Sequence, residues 1–307
     1  MFIKQGVLMK KLFKILLVGS VATAASAQVA APVPDQVAYS VPSGKGWAIH
    51  ISDDNGVNYN VVFSSSHALH FALGPRSSNI LAIDDGGVIK LLPIQRSGSG
   101  YSAAGPAQVI SNERTGSSNG VAVSQDGRLI AFAGGAGANQ LKVYDRASGS
   151  PPSTWAPIPY VFDLAFYSDG SGIAVVSPPD NNSNPDRIYK VSGPNVAPVQ
   201  MLQAYQIVSV GSAHTSPALV ITYRTAYGDG GDRIGLVIGT NITQPRIDNS
   251  TSIADNGRLN CADNRLSYSA PNSARQSVWY LQELNTGLRT LYSKQTGIHW
   301  LQFFPTC

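Results

Sequence analysis

Apolar residues in this chain come in short runs broken by Gly, Pro, Asn and Asp, and no stretch sustains helical spacing. Runs of that kind, bounded by turn residues, predict strands. The pattern is fullest from Ser124 to Gly149, SQDGRLIAFAGGAGANQLKVYDRASG. Gln125-Asp126-Gly127 predicts a tight turn and Leu129 to Ala133 a strand. Gly134 to Asn139 predicts a small-residue loop, Leu141 to Tyr144 a second strand, and Asp145 to Gly149 a closing turn. Asp bonds its own backbone two residues on and Gly tolerates positive φ, so Asp-Gly is a natural turn former.

The unit recurs along the chain. Gln36 to Phe63 has three strands and lacks the leading one, whereas Ala68 to Gln95 is a full unit. Ser97 to Gly105 reads as a Ser/Gly-rich loop. Val161 to Val191 repeats the turn as Asp169-Gly170, and Thr251 to Ser293 carries Asp263-Asn264 at the same place. Ile207 to Ile238 is weaker, with Ala213-His214-Thr215 where the Asp-Gly turn is expected. Gly297 to Cys307 supplies one strand. Four short strands in a repeat of about 43–49 residues are the period of a propeller blade. The sequence of apolar strand, Ser-x-Asp-Gly, strand, loop and Tyr-x-x-Asp resembles the repeats of the TolB-like and WD-repeat β-propeller families. Asp126-Gly127 with Tyr144-Asp145 matches best. The resemblance spans nearly all of residues 28–307 and implies an all-β, six-bladed β-propeller. Five units are complete. The C-terminal strand would join the three N-terminal strands as the innermost strand of a sixth blade, removing two open sheet edges.

The N-terminus breaks the strand pattern. Lys4, Lys10, Lys11 and Lys14 precede an apolar run, and Ala25-Ser26-Ala27 is a small-residue cleavage motif. This predicts a signal peptide over residues 1–27, cut between Ala27 and Gln28, and an exported, periplasmic or secreted protein of bacterial type. No later run approaches membrane-spanning length. Those four lysines belong to a total of 22 Lys+Arg against 18 Asp+Glu, so the remainder is balanced in charge. No basic patch remains to hold nucleic acid. One domain and a monomer are expected. Cys261 and Cys307 predict a disulfide in an exported chain. On the blade scheme both lie at the same end of adjacent innermost strands, so the bond would tie down the closing strand.

Candidate chemistry is sparse. Ser118 matches G-x-S-x-G but lacks the strand before and helix after that a nucleophile elbow needs. His67 and His70 fall on opposite faces of a strand. His50, His214 and His299 read as isolated. Asp126, Asp169 and Asp263 read as turn residues that accept backbone N–H groups. Glu113 and Glu283 are the two Glu. Glu113, with Asn119 nearby, is the candidate for the Glu-Asn-Asp cation site that lactonase-like propellers carry. The loops between second and third strands vary most, and Asp84, Asp85, Asn139, Asp180, Asp186, Asp229, Asp232 and Arg233 are their candidate ligand-face residues. Variable loops on a rigid scaffold are where binding usually resides. Ca²⁺ is the ion such oxygen-rich loops would hold, although solvated turns are the stronger reading. No cofactor, catalytic residue or metal ligand is assigned. The expected function is a binding or scaffold module for a protein or small ligand; the alternative is a metal-dependent lactonase-type hydrolase working in the central channel.

Overall fold

The structure, a computed structural model, describes residues 36–52, 58–97, 100–113, 120–135, 140–158, 160–179, 185–227, 231–250, 253–292 and 297–304. Their strands fall into six antiparallel sheets, the blades of a propeller. Pro34–Cys307 is one compact unit. The first blade runs β4 (Leu69–Leu73), β5 (Ile80–Asp85) and β6 (Val88–Ser97), with β7 (Gly100–Ala103) and β8 (Gln108–Ser111) outside β6. The second is β9 (Val121–Val123) to β10 (Leu129–Gly134), β11 (Gln140–Asp145) and β12 (Ser153–Pro157). The third is β13 (Asp163–Phe166), β14 (Ile173–Ser177), β15 (Asp186–Val191) and β16 (Val199–Ala204). The fourth is β17 (Gln206–Ser212), β18 (Leu219–Arg224), β19 (Arg233–Ile238) and β20 (Asn241–Gln244). The fifth is β21 (Asp255–Leu259), β22 (Arg265–Pro271), β23 (Ser277–Glu283) and β24 (Arg289–Leu291).

The sixth blade closes the ring as the sequence predicts. β25 (Trp300–Phe303) is its innermost strand, followed outward by β1 (Val37–Ser43), β2 (Gly46–Ser52) and β3 (Tyr59–Ser65). β25 pairs with β1 from Val37↔Phe303 to Ser40↔Trp300. Side chains extend the seam to the first blade. Trp300 Nε1–H donates to Phe71 O at 3.0 Å, and Leu73 N–H donates to Gln302 Oε1 at 3.3 Å.

The core lies between blades. Side chains alternate across a strand, so each blade offers an apolar face to both neighbours. On β10, Ile130 and Phe132 pack with Ala82 and Ile89 of the first blade. Ala131 and Ala133 pack with Leu164 and Val175 of the third. This double burial explains why inner strands such as Ile173–Ser177 are buried at every residue and read as unbroken apolar runs. The last interface joins Val37, Tyr39, Leu301 and Phe303 of the closing blade to Trp279, Leu281 and Tyr292 of the fifth.

Two turn expectations need correction. Ser97 to Gly105 is not simply a loop, because β7 lies within it and pairs with the end of β6. Its Tyr101 is buried and stacks on Phe304 with ring centroids 4.9 Å apart. The Asp turns also differ among themselves. The Asp126 carboxylate accepts Arg128 N–H at 3.0 Å and that of Asp169 accepts Ser171 N–H at 2.9 Å, both within the turn. Gly127, at φ 71°, lies so close to the first blade that a Cβ there would stand 2.3 Å from Ser78 Cβ. Asp263 instead reaches across to the fourth blade. It accepts His214 N–H at 2.8 Å, Thr215 N–H at 2.7 Å and the Thr215 hydroxyl at 2.6 Å. One carboxylate therefore holds the segment that lacks an Asp-Gly turn of its own.

Candidate functional site

Chain direction sorts the loops onto two faces. In an antiparallel blade of consecutive strands, the turns from first to second and third to fourth strand share one end. The second-to-third turn and the link to the next blade share the other, here called the mouth face. The candidate ligand loops all belong to the mouth face. Of their residues, Asn139, Asp180 and Asp229 lie outside the described residues, as do Ser118, Asn119, Cys307 and the cleavage pair Ala27 and Gln28.

The described carboxylates of that face are turned inward. Asp84 is buried and accepts Gly87 N–H at 2.7 Å. Asp85 is buried against Ser65, Lys90 and His67, whose Nδ1 lies 3.1 Å away. Burial pushes the Asp85 carboxyl up, but hydrogen bonds from Lys90, Ser65 and His67 outweigh it and hold the group below its usual value. Asp186 accepts Ile207 N–H of the next blade at 2.7 Å, and burial raises its pKa. Asp232 takes a two-pronged bond from Arg224 at 2.8 and 3.1 Å. Beside it, burial and then the Asp232 charge push the Asp255 carboxyl up to about 6. Arg233 is the first residue of β19 and half-buried. Asp84 and Asp232 bond within their own blade segments, and Tyr227, next to the Asp232 network, is 89% exposed.

The channel is lined by the innermost strands of all six blades and encloses about 90 Å³. Its charged residues were not singled out from the sequence. Asp163 opens β13 and Arg258 lies on β21, two blades on. Arg258 Nη2 stands 3.5 Å from Asp163 Oδ2, and both side chains are buried. Asp163 also accepts Val210 N–H at 2.8 Å and Leu164 N–H at 2.9 Å. The guanidinium lies over the Trp300 ring at 4.9 Å and donates to Gly257 O at 2.9 Å. Gly211 of β17 makes room for it, since a Cβ there would meet Arg258 Cδ at 3.0 Å. Burial pushes the Asp163 carboxyl up to about 6 against the pull of Arg258. A charged residue inside an apolar run, as in GRLNC and FDLAF, is the sequence signal for both.

A channel cation site needs several oxygen donors converging on one point. Asp163 is the acidic residue of the lining, and a guanidinium already occupies its side. Glu113 lies elsewhere, with Oε1 3.3 Å from Lys142 Nζ and Oε2 accepting Gly135 N–H at 3.0 Å. Among the described residues no three His, Cys, Asp or Glu side chains come together to hold a metal. Among the described residues the donor set does not fit the lactonase-type arrangement.

His299, expected to be isolated, is not. Its Nε2 lies 3.1 Å from His70 Nε2. His299 precedes β25 and His70 lies on β4, so both sit at the mouth face across the seam of the ring. Trp47 packs against His299 at 5.2 Å and Trp300 meets His70 edge-on at 5.4 Å. Burial, then the His299 charge, lowers the His70 pKa to about 4, and partial burial of its ring lowers that of His299, although the residue as a whole is exposed.

No family model matches the chain, and no curated protein matches it. Solved structures do. TolB from Acinetobacter baumannii matches with TM-score 0.68 and 14% identity over 89% of this chain and 67% of that one. A chain of a nidogen/laminin complex matches with TM-score 0.60 and 11% identity, covering 89% of this chain and 99% of that one. A TolB-type protein from Agrobacterium tumefaciens gives TM-score 0.60 and 10% identity at the same coverages. At such identities the likeness shows the fold, a TolB-like β-propeller, and fold alone does not assign an activity.

Proposed function

We propose that this protein is an exported binding or scaffold module that captures a protein or small ligand on its mouth face. One observation carries the reading. The channel charges are spent on each other, Asp163 on Arg258, whereas the mouth face presents the exposed Tyr227 beside the buried Asp232 that Arg224 holds. The likeness to a chain of a nidogen/laminin complex agrees with a scaffold that meets another protein. Export rests on the basic, apolar and small-residue order of the first 27 residues. Among the described residues no helix is long and apolar enough to cross a membrane.

The test replaces residues 226–231 with Gly and Ser while keeping Asp232 and its Arg224 bond. The altered protein should keep its melting temperature and lose the partner that the parent chain retains from the exported fraction. Retained capture would count against this loop as the contact.

A further inference from the structure

The two histidines that meet at the ring seam are separated by 229 positions in sequence. The chain has five His in all, and this pair places two Nε2 atoms face to face at the mouth. We propose that His70 and His299 form a two-imidazole site for a divalent first-row transition metal of the Cu²⁺ or Zn²⁺ class, which staples the closing blade to the first blade.

The spacing carries the proposal. A metal–imidazole bond is about 2.0–2.1 Å. Two such nitrogens stand about 2.9 Å apart at a right angle and about 3.4 Å apart at the tetrahedral angle. The observed 3.1 Å falls between these values, so an ion can enter with small side-chain adjustments. Imidazole suits Cu, Zn and Ni, whereas Ca²⁺ and Mg²⁺ prefer oxygen. Both rings are held in place. His70 is on β4, opposite Asp84 of β5 and edge-on to Trp300. His299 donates its backbone N–H to Ser40 O at 2.9 Å and packs on Trp47. Without metal, one Nε2–H donates to the other Nε2. Loading the ion moves that proton to the same ring's Nδ1, so each imidazole enters neutral. Among the described residues no third His, Cys, Asp or Glu joins the pair. The remaining coordination positions face the exposed side of His299 and take water or a donor group from outside.

Location gives the site its consequence. His299 lies in the segment leading into β25, the strand that completes the ring, and His70 belongs to the neighbouring blade. An ion held by both ties the seam, and binding to the folded state alone raises stability with metal concentration.

The experiment is titration calorimetry of the tag-free chain with CuCl₂ and with ZnCl₂, in a non-chelating buffer near pH 7.5. The wild type should take up one ion per chain. His70→Gln and His299→Gln should each weaken binding by roughly tenfold or more, since even supporting groups around a metal contribute that much. His67→Gln, which alters the exposed His beside Asp85, should bind as wild type. Saturating metal should raise the melting temperature of wild type and leave that of His299→Gln unchanged. No saturable binding by wild type would overturn the proposal, and so would binding that survives both substitutions. His299 is exposed, so its variant keeps the test decisive if His70→Gln fails to fold.

Discussion

Replacing Arg258 by Met roughly keeps the side-chain volume and removes the cationic partner of Asp163. Asp163 is 2% exposed, and Arg258 is nearly as buried. Breaking a buried pair by removing one member costs about 3–5 kcal/mol, because the other charge is left without compensation. For a domain of this size each kcal/mol lowers the melting temperature by roughly 2–4 °C, so a fall of about 6–20 °C is expected at pH 8. The pH dependence follows from the Asp163 carboxyl. Its folded-state pKa, about 6, lies above its ordinary value of 3.8. A raised acid favours the folded state below the ordinary value, and that advantage is lost as pH rises through the folded value. Without Arg258 the carboxyl rises further. The deficit of Arg258→Met should therefore be largest at pH 8 and shrink markedly by pH 5. Asp163→Asn combined with Arg258→Met removes both charges and should recover much of the loss. Calorimetric or urea unfolding of the three variants at both pH values measures this. A loss below about 1 kcal/mol at pH 8, or one that is the same at pH 5, would refute the reasoning.

Other expectations follow from single contacts. His70 is partly buried and its pKa is lowered to about 4, by burial and then by the His299 charge, so its contribution is present above pH 6.5 and lost as pH falls towards 4. That shift corresponds to on the order of 3 kcal/mol, and His70→Gln should flatten the acid limb of stability between those values. Asp263→Ala leaves two backbone N–H groups and the Thr215 hydroxyl without their acceptor. It should cost about 1–3 kcal/mol, with faster amide exchange at His214 and Thr215. A Cys261–Cys307 bond would pin the closing strand, and on the chain-entropy model a loop of that length is worth roughly 4 kcal/mol. Reduction of the confirmed bond should then lower the melting temperature and free β25 first, whereas an unchanged melting temperature would remove the tie. Intact mass of the exported chain should show a start at Gln28.

The fold was legible because its signals are local and repeated. Asp126-Gly127 and Asp169-Gly170 mark the same turn in successive blades, and the unmatched strands at the two ends imply closure. The fourth blade was harder to read because its missing Asp-Gly turn is supported by Asp263 from the next blade. β7 was obscured by the Ser and Gly around Tyr101, whose burial comes from Phe304 near the other end of the chain. The same cause hid the channel and the seam. Asp163 meets Arg258, and His70 meets His299, only once the ring is closed. No local periodicity records such pairs. The mouth-face acids were legible as loop residues, but not their inward turn, which depends on partners that only the fold brings near: Gly87 N–H for Asp84, the Ser65 hydroxyl for Asp85, Ile207 N–H for Asp186 and Arg224 for Asp232.

The most direct measurement places a photo-crosslinking amino acid at Tyr227 on the mouth face and, in a separate chain, at Ser192 on the opposite face, and exposes both in the exported compartment. The account predicts a discrete cross-linked species from position 227 and none from position 192. Cross-linking at 192 alone would contradict the assignment of binding to the mouth face.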